Sequence, residues 1–208
     1  MKMYLAYPIS PVLALSYYAA ALTVPRELTQ ASSYLTGKWE EWYIANDLNQ
    51  DGVLSLDDLE TFEEFYTKID FLEDEQRNHT IATIDRLWRN ALLGGRSEVS
   101  KDEFVEMLKT SYESNKTNFV ETMRELDREF LEVIDLNGDN SLSKEEYMMD
   151  LMAAKHMDTF KDEEFFNSHK LVNGLIPIEE AVDVWLRFQT EDDMTKTDIL
   201  ENALKSGL

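Results

Sequence analysis

Apolar residues recur at helical spacing over most of the chain after residue 30. In the first such stripe, Leu35, Trp39, Trp42 and Tyr43 fall at i, i+4, i+7 and i+8, which is one face of an amphipathic helix. The same period returns over residues 59–69, 81–92, 120–134 and 181–188. No segment alternates between apolar and polar residues for long enough to form an independent strand. The pattern therefore predicts an all-α protein.

Short polar loops join the predicted helices in pairs, and four twelve-residue windows align with one another: 47–58, 92–103, 135–146 and 169–180. The eighth residue of each window is apolar, in order Leu54, Val99, Leu142 and Ile176. We predict that these residues pair as two small ribbons, Leu54 with Val99 and Leu142 with Ile176. The expected fold is four helix-loop-helix units in two pairs, 31–112 and 115–190, packed into one compact domain and followed by a C-terminal helix or tail over 195–208.

Two of the windows carry oxygen-bearing groups at positions 1, 3, 5, 7, 9 and 12, which is the EF-hand pattern. The predicted ligands are Asp47, Asn49, Asp51, the Val53 carbonyl, Ser55 and Asp58 in the first loop, and Asp135, Asn137, Asp139, the Ser141 carbonyl, Ser143 and Glu146 in the third. A hard divalent cation takes six to eight such oxygens. The chain is therefore predicted to bind Ca²⁺ at two sites.

Two further positions in these loops have structural tasks. Position 6 needs a left-handed backbone, which Gly52 adopts without strain and Asn140 tolerates better than most residues. Ser55 and Ser143 stand where the N-cap of the exiting helix belongs.

The two loops differ at position 12, where loop 135–146 has Glu146 and loop 47–58 has Asp58. The aspartate side chain is one methylene shorter, so we expect it to reach the ion through one oxygen. Six-coordination favours Mg²⁺ or weaker Ca²⁺ binding. The first loop is therefore predicted to be the more tolerant of magnesium.

The other two windows lack the ligands. Leu92 and Arg96 stand at positions 1 and 5 of window 92–103, and His169 and Leu171 stand at positions 1 and 3 of window 169–180. Both are expected to be structural partners of the intact loops.

Composition narrows the functional classes. The chain has 42 Asp and Glu against 20 Lys and Arg, a net charge of −22, which disfavours nucleic-acid partners and stable association with anionic membranes. Cysteine is absent, and no phosphate-binding glycine loop or nucleophile motif occurs, so no enzymatic activity is predicted. The histidines His79, His156 and His169 are scattered, which favours surface or structural roles.

Residues 1–24 have two interpretations. Lys2, an apolar stretch over 12–22 and the small residues at 19–21 are typical of a signal peptide, whereas Pro8 and Pro11 interrupt the apolar run and fit an N-terminal arm packed on the core. A signal peptide would make the protein secretory or extracellular, and an arm that is part of the fold would make it cytoplasmic.

The Trp- and Tyr-rich helix that runs into residues 46–55, the wide spacing of the units and the short fourth unit resemble the invertebrate sarcoplasmic calcium-binding proteins. The neuronal calexcitins are similar. The resemblance covers about residues 31–190 and implies a compact helical protein with two EF-hand pairs around a shared apolar core. This chain departs from the usual pattern in keeping only two loops intact and in its apolar N-terminal segment.

The expected role is calcium buffering, with magnesium exchange at loop 47–58. A first alternative is a calcium sensor that exposes an apolar surface to a protein partner, since methionines cluster at 148, 149, 152 and 157, although ordinary core packing explains them more simply. A second alternative is calcium-regulated binding of a small ligand of the luciferin type, suggested by Trp39, Trp42, Trp88 and Trp185.

Overall fold

The computed structural model describes residues 30–208, so the predictions for residues 1–24 lie outside the described part. The helices are α1 (Ser33–Asn46), α2 (Leu56–Thr67), α3 (Asp74–Leu87), α4 (Lys101–Ser114), α5 (Lys116–Ile134), α6 (Lys144–Ala153), α7 (Thr159–Ser168), α8 (Ile178–Thr190) and α9 (Ile199–Lys205). A π-helical turn (Trp88–Leu92) extends α3. The predicted all-α class is confirmed, and within residues 30–208 no helix is long and apolar enough to cross a membrane.

Serine N-caps begin three of the helices that leave the loops. Ser55, Ser100 and Ser143 each form a capping box, in which the acid three residues later bonds back to the N–H of the serine. The reciprocating acids are Asp58, Glu103 and Glu146. The predicted helix starts after Ser55 and Ser143 are therefore confirmed.

Two short antiparallel ribbons join the loops in pairs. Strand β1 (Leu54–Ser55) pairs with β2 (Glu98–Val99), and β3 (Ser141–Leu142) pairs with β4 (Ile176–Pro177). The partners across the ribbons are Leu54 with Val99 and Leu142 with Ile176, as predicted. Each intact loop is thus held by hydrogen bonds to a loop that lacks the ligands.

The two pairs of helix-loop-helix units share one apolar core. Helix α5 packs against α3 and α8, and α2 packs against α6. The fully buried Trp39 contacts the rings of Tyr112 and Phe119, and its indole N–H donates to the carbonyl of Gln189 at 2.9 Å. Opening one pair would therefore disturb packing in the other.

The C-terminal helix is shorter than its pattern suggests. The sequence predicts a helix or tail over 195–208, and its helical part, α9, begins only at Ile199, because Asp198 acts as its N-cap and Asp193 holds Thr195 in a local turn. The buried Lys38 of α1 fastens this end of the chain. Its Nζ donates to Asp198 at 3.2 Å and to the carbonyl of Glu191 at 2.8 Å.

Candidate metal centres

Loop 47–58 begins where α1 ends, and its first ligand organises the turn. Asp47 Oδ2 accepts a hydrogen bond from the Gly52 N–H at 2.9 Å, and Gly52 has φ +87°. Along the loop, Asn49 Oδ1 accepts from the Asp51 N–H and Asp51 Oδ1 accepts from the Val53 N–H, both at 2.9 Å. The structure therefore brings the predicted ligands into one turn whose conformation they fix themselves.

Loop 135–146 repeats this arrangement at the end of α5. Asp135 Oδ2 accepts from the Asn140 N–H at 2.8 Å, and Asn140 has φ +62°, which confirms the left-handed backbone predicted at position 6. Asn137 and Asp139 make the same bonds, at 2.9 Å, to the N–H groups two residues ahead.

The last ligand closes both loops in the same way despite its different length. Asp58 accepts from the N–H groups of Asn49 and Ser55 at 3.1 and 2.8 Å. Glu146 accepts from the corresponding groups of Asn137 and Ser143 at 3.1 and 2.9 Å. The shorter Asp58 thus accepts the same two backbone hydrogen bonds as Glu146.

Buried negative charge in both loops suits a bound cation. Asp58, Glu146 and Asp135 are only 0%, 5% and 9% exposed, and within residues 30–208 none of them forms an ion pair with a basic side chain. Asp47 Oδ1 is buried with no hydrogen-bond partner. Burying carboxylates without a counter-charge is costly, and a divalent cation supplies that charge. The residues present therefore fit the ion that the pattern implies.

The ligand sets are mixed in chemistry. Among residues 30–208, no group of three acidic or histidine side chains is already gathered around a single point. An ion in either loop would be held by carboxylate, amide and carbonyl oxygens together, with the serine acting through water, as Ca²⁺ accepts.

In each of the two windows without ligands, a basic side chain from the same window lies beside the acid at position 12. In window 92–103, the guanidinium of Arg96 lies 3.5 Å from Glu103. In window 169–180, Nζ of Lys170 lies 3.7 Å from Glu180, whose carboxylate also accepts from the Lys170 N–H at 3.2 Å. A positive side chain beside the acid of position 12 disfavours a metal ion there, which agrees with their predicted structural role.

Several residues that support the loops were missed by the sequence analysis. The hydroxyl of Tyr43 accepts from the Leu54 N–H at 2.9 Å and lies 3.0 Å from the Gly52 carbonyl oxygen, so it ties α1 to the turn. Position 4 is also left-handed in both loops, at Gln50 with φ +59° and Gly138 with φ +71°. For the Tyr43 contacts, the available sequence signal was a tyrosine four residues before loop 47–58.

Comparison with known proteins identifies one EF-hand and a relative of similar length. A family model described as "EF hand" matches residues 123–152, which cover the end of α5, the third loop and most of α6. The sarcoplasmic calcium-binding protein of Mizuhopecten yessoensis is 28% identical over 177 residues, covering 84% of this chain and 100% of the relative. The chain therefore contains an EF-hand and is similar to a sarcoplasmic calcium-binding protein.

Solved structures share this EF-hand fold. The calcium-loaded apo form of the coelenterazine-binding protein from Renilla muelleri aligns with a TM-score of 0.65 at 22% identity, covering 82% of this chain and 93% of the other. The magnesium-loaded apo form of the ctenophore photoprotein berovin aligns at 0.56 with 16% identity, covering 74% and 87%. At these identities the likeness shows the fold alone.

The histidine and methionine predictions have separate outcomes in this EF-hand fold. His169 is buried, with its ring against Tyr147 and Phe165 and its Nδ1 3.0 Å from the Phe165 carbonyl oxygen. Burial lowers its pKa, which suits the structural role predicted for it. The prediction that the clustered methionines pack in the core is wrong for two of them. Met152 is 45% exposed at the end of α6, and Met157 is 81% exposed in the segment before α7.

Proposed function

We propose that the protein binds two divalent cations, one at loop 47–58 and one at loop 135–146, and that it serves as a calcium buffer. The observation that carries the proposal is the burial of Asp58, Asp135 and Glu146 without a basic partner among residues 30–208. Arg96 and Lys170 support the count of two, because each places a positive charge beside the last acid of a loop that lacks the other ligands.

Buffering is favoured over sensing by the packing between the two EF-hand pairs. A sensor must open a pair and expose an apolar groove when it is loaded. Here the Trp39 indole bonds to Gln189, and the Tyr66 hydroxyl contacts Asp150 at 3.3 Å, so each pair is fixed by contacts with the other. Opening would break both contacts.

The sensor alternative rests on the exposed apolar side chains beside the third unit, which are Met152, Met157 and Phe160. Fluorescence of a hydrophobic dye, recorded with calcium and with chelator, separates the two roles. A buffer gives the same dye signal in both conditions. A large rise with calcium would favour the sensor and overturn the buffering proposal, while calcium binding itself would stand.

Ligand binding of the luciferin type has a separate test. A relative of the same fold is named for coelenterazine binding, and Trp42, Trp88 and Trp185 do line an internal cavity in this chain, whereas Trp39 does not. A protein of that type would co-purify with a chromophore and release it with calcium. We do not propose this function, because within residues 30–208 nothing links this cavity to release of a chromophore by calcium.

A further inference from the structure

A cavity of about 110 Å³ lies where α1, α2, α3, α5 and α8 meet. Most of its wall is aromatic or aliphatic, including Trp42, Phe62, Met123, Phe130 and Trp185. This lining is typical of small-molecule sites, which combine an apolar wall with a few polar groups of fixed orientation.

Three of the lining residues, Trp88, Asp127 and Gln189, carry buried polar atoms that lack a partner in the described part of the chain, and Asn46, also in the lining, donates its side-chain N–H to the Trp42 carbonyl. All three are more than nine-tenths buried. The side-chain N–H of Gln189 donates to Asp127 Oδ1 at 2.9 Å. Asp127 Oδ2, Gln189 Oε1 and Trp88 Nε1 remain without a hydrogen-bond partner among residues 30–208. Buried polar atoms are nearly always paired, so three orphans in one cavity wall indicate an occupant that pairs with them.

The protonation state of Asp127 determines which hydrogen-bond donors and acceptors face a ligand in this cavity. Burial raises the pKa of Asp127 to about 8, against the opposing effects of the Gln189 hydrogen bond and Arg124. At neutral pH the carboxyl is therefore mainly protonated, and since Oδ1 accepts from Gln189, the proton belongs on Oδ2. The wall then presents two donors, the Asp127 O–H and the indole N–H of Trp88, and one acceptor, the carbonyl of Gln189.

We propose that this cavity binds a small, neutral, planar aromatic molecule that carries both a carbonyl acceptor and an N–H donor, as in an aromatic amide or lactam. The carbonyl would accept from Asp127 and Trp88, the N–H would donate to Gln189, and the ring would lie against the apolar wall. A charged ligand is disfavoured, because an anion would find no positive side chain among the described residues of the lining and a cation would first have to displace the proton of Asp127. The inference does not depend on the metal sites.

Benzamide is the probe, and cumene is its matched control, since an isopropyl group replaces the amide with nearly the same shape. Both are titrated into the full calcium-loaded chain and followed by calorimetry. We expect benzamide to bind one to one with a dissociation constant of about 1 mM or tighter, as suits so small a ligand. No binding of benzamide in this range would overturn the proposal and would indicate that ordered water pairs with the three polar atoms.

Variants test whether the named polar groups recognise the amide. Asp127→Leu and Gln189→Met should each weaken benzamide binding about tenfold and leave cumene binding unchanged or tighter. Asp127→Asn retains a donor and an acceptor, so it should keep benzamide affinity close to that of the wild type. Tyr66→Phe is the matched control, because it removes a polar atom of the core outside the cavity wall.

The calcium isotherm of each variant confirms that it is folded, and if Asp127→Leu fails this check, Gln189→Met and Trp88→Phe carry the test. Equal losses for benzamide and cumene would overturn the proposal, because they would show that only the apolar wall binds the probe. A loss of benzamide affinity in Tyr66→Phe as large as in the wall variants would overturn it as well.

Discussion

Gln76 donates a hydrogen bond of 2.6 Å from its side-chain amide to the backbone carbonyl of Leu136. Gln76 lies on α3, in the first EF-hand pair, whereas Leu136 is the second residue of the intact loop of the other pair. A reciprocal contact exists at the other loop, where Nζ of Lys155 lies 3.3 Å from the carbonyl oxygen of Leu48. Each intact loop is thus braced, at the same position, by a side chain from the opposite pair.

Loss of the hydrogen bond between Gln76 and Leu136 should lower the calcium affinity of loop 135–146, although neither residue is a predicted ligand. Gln76→Met removes the hydrogen bond while keeping the side-chain length, so loop 135–146 is less well ordered before the ion arrives. We expect its calcium affinity to fall about two- to tenfold. Calorimetry on a background in which loop 47–58 is disabled by Asp47→Ala measures this site alone.

The control for this change is Asn78→Met, on the same helix but exposed. It should leave the affinity of loop 135–146 unchanged. Equal effects of the two substitutions would show that the contact between Gln76 and Leu136 is irrelevant to binding.

Two glycines give a matched test of backbone conformation. Gly52 has φ +87°, so Gly52→Ala forces a side chain into the left-handed region and should lower the free energy of unfolding by about 1 kcal/mol. Gly37 lies inside α1 with nothing within 4 Å of an added Cβ, so Gly37→Ala should raise it by about 0.5–1 kcal/mol. Urea unfolding in chelator measures both, and changes of the same sign would contradict the conformations described here.

The pKa of Asp127 predicts how stability depends on pH. In the unfolded chain an aspartate ionises near pH 4, whereas burial raises the folded pKa of Asp127 to about 8. Between these values the folded state binds more protons than the unfolded state, so the contribution of Asp127 to stability falls as pH rises from 4 to 8.

Asp127→Asn removes this titration. We expect the variant to gain stability relative to the wild type as pH rises through that interval, by on the order of 5 kcal/mol in total. Urea unfolding at several pH values measures the difference between the two proteins, in which other titrating groups cancel. A difference that is constant from pH 4 to 8 would show that Asp127 titrates normally.

The length of Asp58 predicts the ion preference of the first loop. Asp58→Glu lengthens the last ligand, which allows both carboxylate oxygens to reach the ion and favours the higher coordination of calcium over magnesium. Competition calorimetry should show a gain in calcium selectivity at this site. The reverse substitution, Glu146→Asp, should reduce selectivity at the other loop, and unchanged selectivity in both variants would rule out position 12 as its source.

Features that repeat along the chain could be predicted from the sequence, and features that depend on contacts between units could not. The pairing of Leu54 with Val99 follows from the eighth position of each loop, and the left-handed Asn140 follows from the sixth. The hydrogen bond from Gln76 to Leu136 joins the two EF-hand pairs, so no local sequence pattern predicts it. The cavity around Asp127 likewise depends on how five helices pack, and in the sequence this residue is one acid among many on α5.

The central claim is that two of the four loops bind a divalent cation. Calcium titration by calorimetry should give two sites for the wild type, one for Asp47→Ala, one for Glu146→Gln and none for the double variant. Arg96→Ala, which removes the internal cation of a loop without ligands, should still give two. A wild-type count other than two, or a count unchanged by Asp47→Ala or by Glu146→Gln, would contradict the account.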